Sequence, residues 1–292
     1  MNPQNTSTAN IGRFQASSMI IRQSWNVLKQ DKGLAWIPVF SGIANLIIFA
    51  FFTTLFFIIT RGGGHFSEAM DHRNLGNIGS ILVFLYYISV FFVTNYFLAG
   101  LYSIVHGRFA GKNLSLSNGL TEANRHIHKI FIWSVISTTV GLLLKLISDN
   151  SKLVGKIVAA IFGAAWNILT YFSLPSLIIG EKSVTDSFKE SAAMIRKTWG
   201  ETIIVNFGVS LVFGAVFFLV TALTVGLIIL IPLPEVVIVI SILYILFLIT
   251  LIVLSSTLGA IFKLALYEYA STGVVPQGFT PEIIQGAIVT RT

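Results

Sequence analysis

The sequence predicts an all-α integral membrane protein: six transmembrane helices as three parallel hairpin repeats, each preceded by a cytoplasmic interfacial amphipathic helix. Three observations carry this. Of 292 residues only 11% are charged and 54% are hydrophobic, whereas a soluble domain carries about 25% charged residues. Mean hydropathy is +0.82. Finally, similar segments recur ahead of alternate apolar stretches. A core of this size cannot hide so much apolar surface from water, so soluble, disordered and fibrous classes are excluded.

Six charge-free windows reach, or nearly reach, the roughly 20 residues that span a bilayer. They are Leu34–Thr60, Gly79–Val105, Ile130–Leu144, Ile157–Gly180, Thr202–Ile231 and Val236–Phe262. The third spans only by including Lys145, whose stem snorkels to the interface. Pro232-Leu233-Pro234-Glu235 alone separates the last two, which sets a tight hairpin. Leu174-Pro175-Ser176-Leu177 predicts a kink in the fourth.

Residues 1–12 are expected to be a disordered tail, not a signal peptide, because they are polar and the first span is too long for one. Residues 13–292 are expected to form a single transmembrane domain. Its repeats cover about 13–112, 113–182 and 183–273, followed by a C-terminal interfacial segment, 274–292. Fourteen of the 19 Lys and Arg residues fall before the first span, after the even-numbered spans or at the C-terminal end. The positive-inside rule then puts both termini in the cytoplasm, in the cell membrane.

The repeat shows in Phe14, Ser17, Ile21, Arg22 and Trp25, which recur as Phe188, Ser191, Ile195, Arg196 and Trp199. A weaker copy runs from Leu120 to Phe131. The expected apolar stripes are Phe14, Ser18, Ile21, Trp25 and Leu28; Leu120, Ala123, Ile127 and Phe131; and Phe188, Ala192, Ile195 and Trp199. Arg22, Lys29, Arg125, Lys129, Arg196 and Lys197 lie beside these stripes, and His126 and His128 accompany the second. Such helices rest in a headgroup layer and bind anionic lipid. Ser187 with Glu190 suggests a capping box, Gly33 a helix stop, and Thr280 with Pro281 the start of a further helix.

Ser24-Trp25, Leu28, Asp31-Lys32, Leu34, Pro38 and Ser41, with Tyr269-Ala270, Gly273, Pro276 and Gly278-Phe279, resemble the prokaryotic domain-of-unknown-function 6159 family. The resemblance implies a multi-pass membrane protein of uncharacterised role and carries over no catalytic or binding residue. Three two-helix repeats are also a feature of mitochondrial-type carriers. Their Pro-x-Asp/Glu-x-x-Lys/Arg signature is missing, since Pro38, Pro175 and Pro232 precede Phe40, Leu177 and Pro234.

The chemistry is marked by what the windows lack: no Asp, Glu, Lys, Arg or His lies in any of the six. Proton relays and intramembrane acid–base catalysis require such groups at depth, so an enzyme is not expected, nor is a cofactor. Asn45, Asn95, Asn167 and Asn206 fit interhelical hydrogen bonding or a polar lining. In the outer loop, His65, Glu68 and His72 share a helical face and are weak metal candidates; the Gly62–Gly64 run argues against order there. With no cysteine, disulfides are excluded. Lys145 and Asp149 suit an i, i+4 pair. The charges are too sparse for nucleic acid; a membrane-protein partner or second copy is in keeping. The composition favours a non-catalytic scaffold, assembly or regulatory protein organising lipid or partners. The alternative is a transporter or channel for a neutral or lipid-like solute.

Overall fold

The computed structural model describes residues 13–61, 72–149, 151, 153–198, 208–231 and 233–286. Among them all regular structure is helical. After α1 (Arg13–Gln30) comes a 3₁₀ turn, Lys32–Ala35, then α2 (Trp36–Arg61), α3 (His72–Phe109), α4 (Leu116–Arg125) and α5 (Ile127–Asp149). The chain continues through α6 (Leu153–Leu169), α7 (Ser173–Ile178), α8 (Val184–Thr198), α9 (Gly208–Leu230), α10 (Pro234–Thr272) and α11 (Pro281–Gly286). Six stretches are long and apolar enough to cross a membrane: Lys32–Ile59, Ile78–Phe109, Ile127–Asp149, Leu153–Ile178, Val212–Leu230 and Pro234–Thr272. Helices suit hydrocarbon because they satisfy their own backbone polar groups.

These helices form two compact units, Gly33–Lys197 and the pair of segments Met1–Lys32 and Thr198–Thr292. Two helices exceed the apolar windows. The 38 residues of α3 and 39 of α10 extend about 57 Å and 58 Å at about 1.5 Å per residue. A hydrocarbon core is about 30 Å thick, so each helix continues well past it. A window ends at the first charge, but a helix does not.

Within the central unit, α2 and α3 run antiparallel. Asn45 Nδ2 donates to Thr94 Oγ1 at 3.0 Å near one end, and the Phe52 and Tyr86 rings meet at 5.7 Å further along. α3 reaches α4 through a close backbone approach. A Cβ on Gly119 would stand 2.6 Å from the Gly100 carbonyl oxygen and equally close to Ile104. Trp133, Trp166 and Phe188 join α5, α6 and α8, with centroid separations of 4.9 to 6.5 Å. The expected kink in the fourth span is a full break. α6 stops at Leu169 and α7 restarts at Ser173, upstream of Pro175, which has no N–H for a continuous ladder. Ser173 N–H instead bonds Thr170 O at 3.1 Å.

In the other unit α1 packs on α9 and α10, and α11 closes against α1. Gln23 and Thr280 exchange two hydrogen bonds. The Gln23 amide donates to Thr280 Oγ1, and Thr280 N–H donates to Gln23 Oε1, each at 3.2 Å. Gly278 sits at φ +94, where a Cβ would lie 2.9 Å from Val27 Cγ2. Phe279 then turns its buried ring toward Phe262. The N- and C-terminal motifs of the sequence thus meet in space.

Of three local expectations, one is met and two are corrected. α8 begins a turn earlier than the Ser187 and Glu190 pairing implies. Ser183 is its cap, accepting from Asp186 N–H at 3.1 Å and donating to Asp186 Oδ2 at 2.7 Å. That hydroxyl holds the Asp186 carboxyl below the usual carboxylate range, helped by Lys189 and Lys182. α5 runs on through Lys145 as expected, and Lys145 pairs with Asp149 at 2.9 Å. Third, the buried face of the three segments only partly follows the expected apolar stripe. Leu28, Ala123 and Ile195 are buried as expected, but with them lie Ile20, Ser24 and Val27; Gly119, His126 and Ile130; and Ser187, Ser191 and Met194. Trp25 and Phe131 stay 37% and 50% exposed. Small residues allow the backbones to approach, which matters more than apolar area when lipid is the surrounding medium.

Gly119→Ala should lower the thermal stability of the detergent-solubilised protein by about 1–3 kcal/mol, the usual cost of overpacking. The obstructing atom is backbone and cannot rotate away. Gly226→Ala in α9, with nothing within 4 Å of the new methyl, should leave stability unchanged or raise it by up to about 1 kcal/mol. The paired melting curves test this.

Candidate functional site

The polar side chains of the central unit fall into three groups, and each is tied to a helix junction. Two of the asparagines named from sequence serve helix contacts. Asn45 bonds Thr94, and Asn95 Nδ2 donates to Phe91 O at 2.7 Å and to Ser134 Oγ at 3.5 Å. Asn167 is exposed on α6. Asn206 lies outside the described residues. The groove between α2 and α3, about 180 Å³, is lined by Phe49, Phe52, Phe56 and Tyr86 with Thr53, and is strongly apolar.

The second group is a run of buried serines where α7 meets α8. Every residue from Phe172 to Ile178 is buried. Ser191 Oγ accepts from Phe172 N–H at 2.9 Å, and Ser173 Oγ donates to Ser187 O at 3.5 Å. Ser176 donates to the Glu190 carboxylate. At the break in the fourth span the Ser191 hydroxyl answers the Phe172 N–H, and the Ser173 and Ser176 hydroxyls find their own partners on α8, as buried polar groups require.

The third group combines titratable residues from two separate segments. Glu122 and His126 stand four residues apart, on one face across the end of α4. His126 Nε2 is 3.2 Å from Glu122 Oε1, and Arg125 donates to Glu122 Oε2 at 3.1 Å. Glu181 comes from the α7–α8 connection, where it adopts φ +53, an uncommon conformation for a residue with a side chain. Lys129 Nζ donates to its carbonyl at 2.9 Å across 52 residues of sequence. One ligand atom each from Glu122, His126 and Glu181 lie within 4.8 Å of one another.

The headgroup residues named from sequence divide accordingly. Arg22, Lys29, Arg196 and Lys197 are exposed, with Lys29 Nζ 6.0 Å from the Trp25 ring centroid. Arg125 leans on Glu122, and Lys129 is engaged by Glu181. His126 does not face outward with its neighbours: it is 8% exposed, because the buried stripe passes through it. His128 is exposed. The outer candidates His65 and Glu68, and the His72 side chain, lie outside the described residues. The Glu122–His126 spacing was open to view in the sequence; Glu181 was not, since only the folded connection brings it near.

Six apolar spans whose large side chains remain exposed define the class as an all-helical chain with the helices of a multi-pass membrane protein. Within that class the chain belongs to the family of unknown function DUF6159, whose match covers residues 77–278, well over half of the chain. The matched stretch contains Gly278 and the Glu122, His126 and Glu181 group but begins after the N-terminal motif. No curated protein and no solved structure matches the chain significantly.

Ser191→Ala should strand the buried Phe172 N–H. The expected loss is about 1–3 kcal/mol, read as a lower melting temperature and faster proteolysis near the α6–α7 break. Ser191→Thr, which keeps the hydroxyl, should lose less.

Proposed function

We propose that this protein is a non-catalytic organiser of the cytoplasmic membrane, working through its interfacial helices α1, α4 and α8, each taken by itself, rather than through a path along the spans. One observation carries the reading: α1 buries Ile20, Ser24, Val27 and Leu28 and α4 buries Gly119 and Ala123, while Trp25 on α1 and Phe131 at the start of α5 are left exposed near Arg22, Lys29 and Arg125 in the sequence. Aromatic rings beside Lys and Arg suit the headgroup layer and anionic lipid. With 14 basic residues expected on the cytoplasmic side, both termini face that compartment. A membrane-protein partner or a second copy would dock on these helices.

The threefold hairpin repeat belongs to this reading, and burial supports it. Aligned through Phe14, Leu120 and Phe188, the positions Ile20, His126 and Met194 are all buried, and so are Ser24 and Ile130. The ends of the second and sixth spans also bury matching stretches, at 99–105 and 260–262 with 264–266, while the fourth contributes 172–178. Three interfacial helices, each feeding a hairpin, give three equivalent lipid-contacting faces. Engagement of Asn45 and Asn95 by neighbouring helices favours packing over solute passage.

Single cysteines at positions 45 and 95 in the cysteine-free chain should resist water-soluble thiol reagents applied from either side. Rapid labelling of both would overturn the organiser reading in favour of a hydrated path. Replacing Arg22, Lys29, Arg196 and Lys197 by Gln should remove about 1 kcal/mol of attraction per residue to an anionic surface. The readout is loss of anionic-lipid enrichment among co-purified lipids.

A further inference from the structure

We infer that Glu122, His126 and Glu181 form a binding site for one divalent transition-metal ion of the zinc class, closing the α4–α5 junction onto the α7–α8 connection. The donor set is one imidazole nitrogen and two carboxylate oxygens, which suits borderline ions such as Zn²⁺ and Co²⁺ and balances a double positive charge. The ligand atoms already lie within 4.8 Å of one another. Bonds of about 2.1 Å in a tetrahedron place ligands about 3.4 Å apart, so the cluster must contract by roughly 1 Å. Glu181, being exposed, has the freedom to do this.

The surroundings orient these groups as metal ligands are usually oriented. Arg125 Nη1 donates to both Glu122 oxygens, more closely to Oε2 at 3.1 Å than to Oε1 at 3.4 Å, and so holds the carboxylate with Oε1 toward His126. Lys129 fixes the Glu181 backbone through its carbonyl rather than by engaging the carboxylate. Such outer hydrogen bonds aim ligands and raise affinity. His126 is nine-tenths buried while Glu181 faces solvent. The site therefore has a closed inner wall and an open outer position, where water completes the coordination. Three protein ligands with one open position is the arrangement of an exchangeable ion rather than a sealed structural one.

The test uses the full-length protein in detergent, freed of metal by chelation and titrated with Co²⁺, then competed with Zn²⁺ or Mg²⁺. Wild type should bind one Co²⁺ with visible d–d absorption that Zn²⁺ abolishes and Mg²⁺ does not. Glu181→Gln, at an exposed position and with the backbone bond to Lys129 retained, should weaken binding at least tenfold. His126→Gln should abolish it, and Lys129→Gln should weaken it about tenfold, the low end of effects from residues that orient ligands. Zn²⁺ should raise the melting temperature of wild type and not of Glu181→Gln. Absence of Co²⁺ binding by wild type, or equal binding by wild type and Glu181→Gln, overturns the site and leaves the cluster an ionic clasp between helix and loop.

Discussion

Lipid tails are as apolar as leucine, so two helices gain little by pressing leucines together inside a bilayer. That constraint organises the molecule. In the most apolar 18-residue windows of the first and sixth spans no residue is buried, and even in the third only 28% are. Burial is concentrated instead where the helices end. In the central unit it gathers at Leu34, Ile37, 99–105, Ile130, Trp133 and 172–178. In the other it gathers at Val27, Leu28 and 257–267 apart from half-buried Gly259 and Lys263. There hydroxyls, glycines and short helices replace bulk as the means of contact.

The exposed apolar lengths of α2, α3, α9 and α10 are therefore suited by composition to face lipid. The long reach of α3 and α10 beyond the apolar stretch supplies the surfaces against which α4 and α11 pack. Function, on the proposed reading, lies with those helix ends and with the basic helices beside them. The spans hold that layer at a fixed depth. A metal ion joining Glu122, His126 and Glu181 would tie two of its connections together at low cost in chain length.

Most of the fold was legible because a charge-free run of this length has few alternatives in water or lipid. Spacing also revealed the Lys145–Asp149 pair and the Thr280-Pro281 start of α11. Other features were hidden for specific reasons. Ser183 with Asp186 and Ser187 with Glu190 are rival caps one turn apart, and only backbone geometry chooses between them. The inward face of α1 was read through Trp25, the bulkiest residue, although lipid permits such a side chain to remain outside. Glu181 carries no spacing signal at all. Its place depends on a break in the fourth span that Pro175 signalled without fixing where the chain would turn.

The reciprocal bonds between Gln23 and Thr280 have a consequence for biosynthesis. The unit they close draws on residues near both extremes of the sequence, whereas Gly33–Lys197 is continuous. The continuous part can mature while translation is still under way. α1 must wait for α9 and α10, and its last clasp closes only once Thr280 has left the ribosome. Quality control thus has a natural checkpoint: truncated chains would display an unclasped first helix, and complete chains would not.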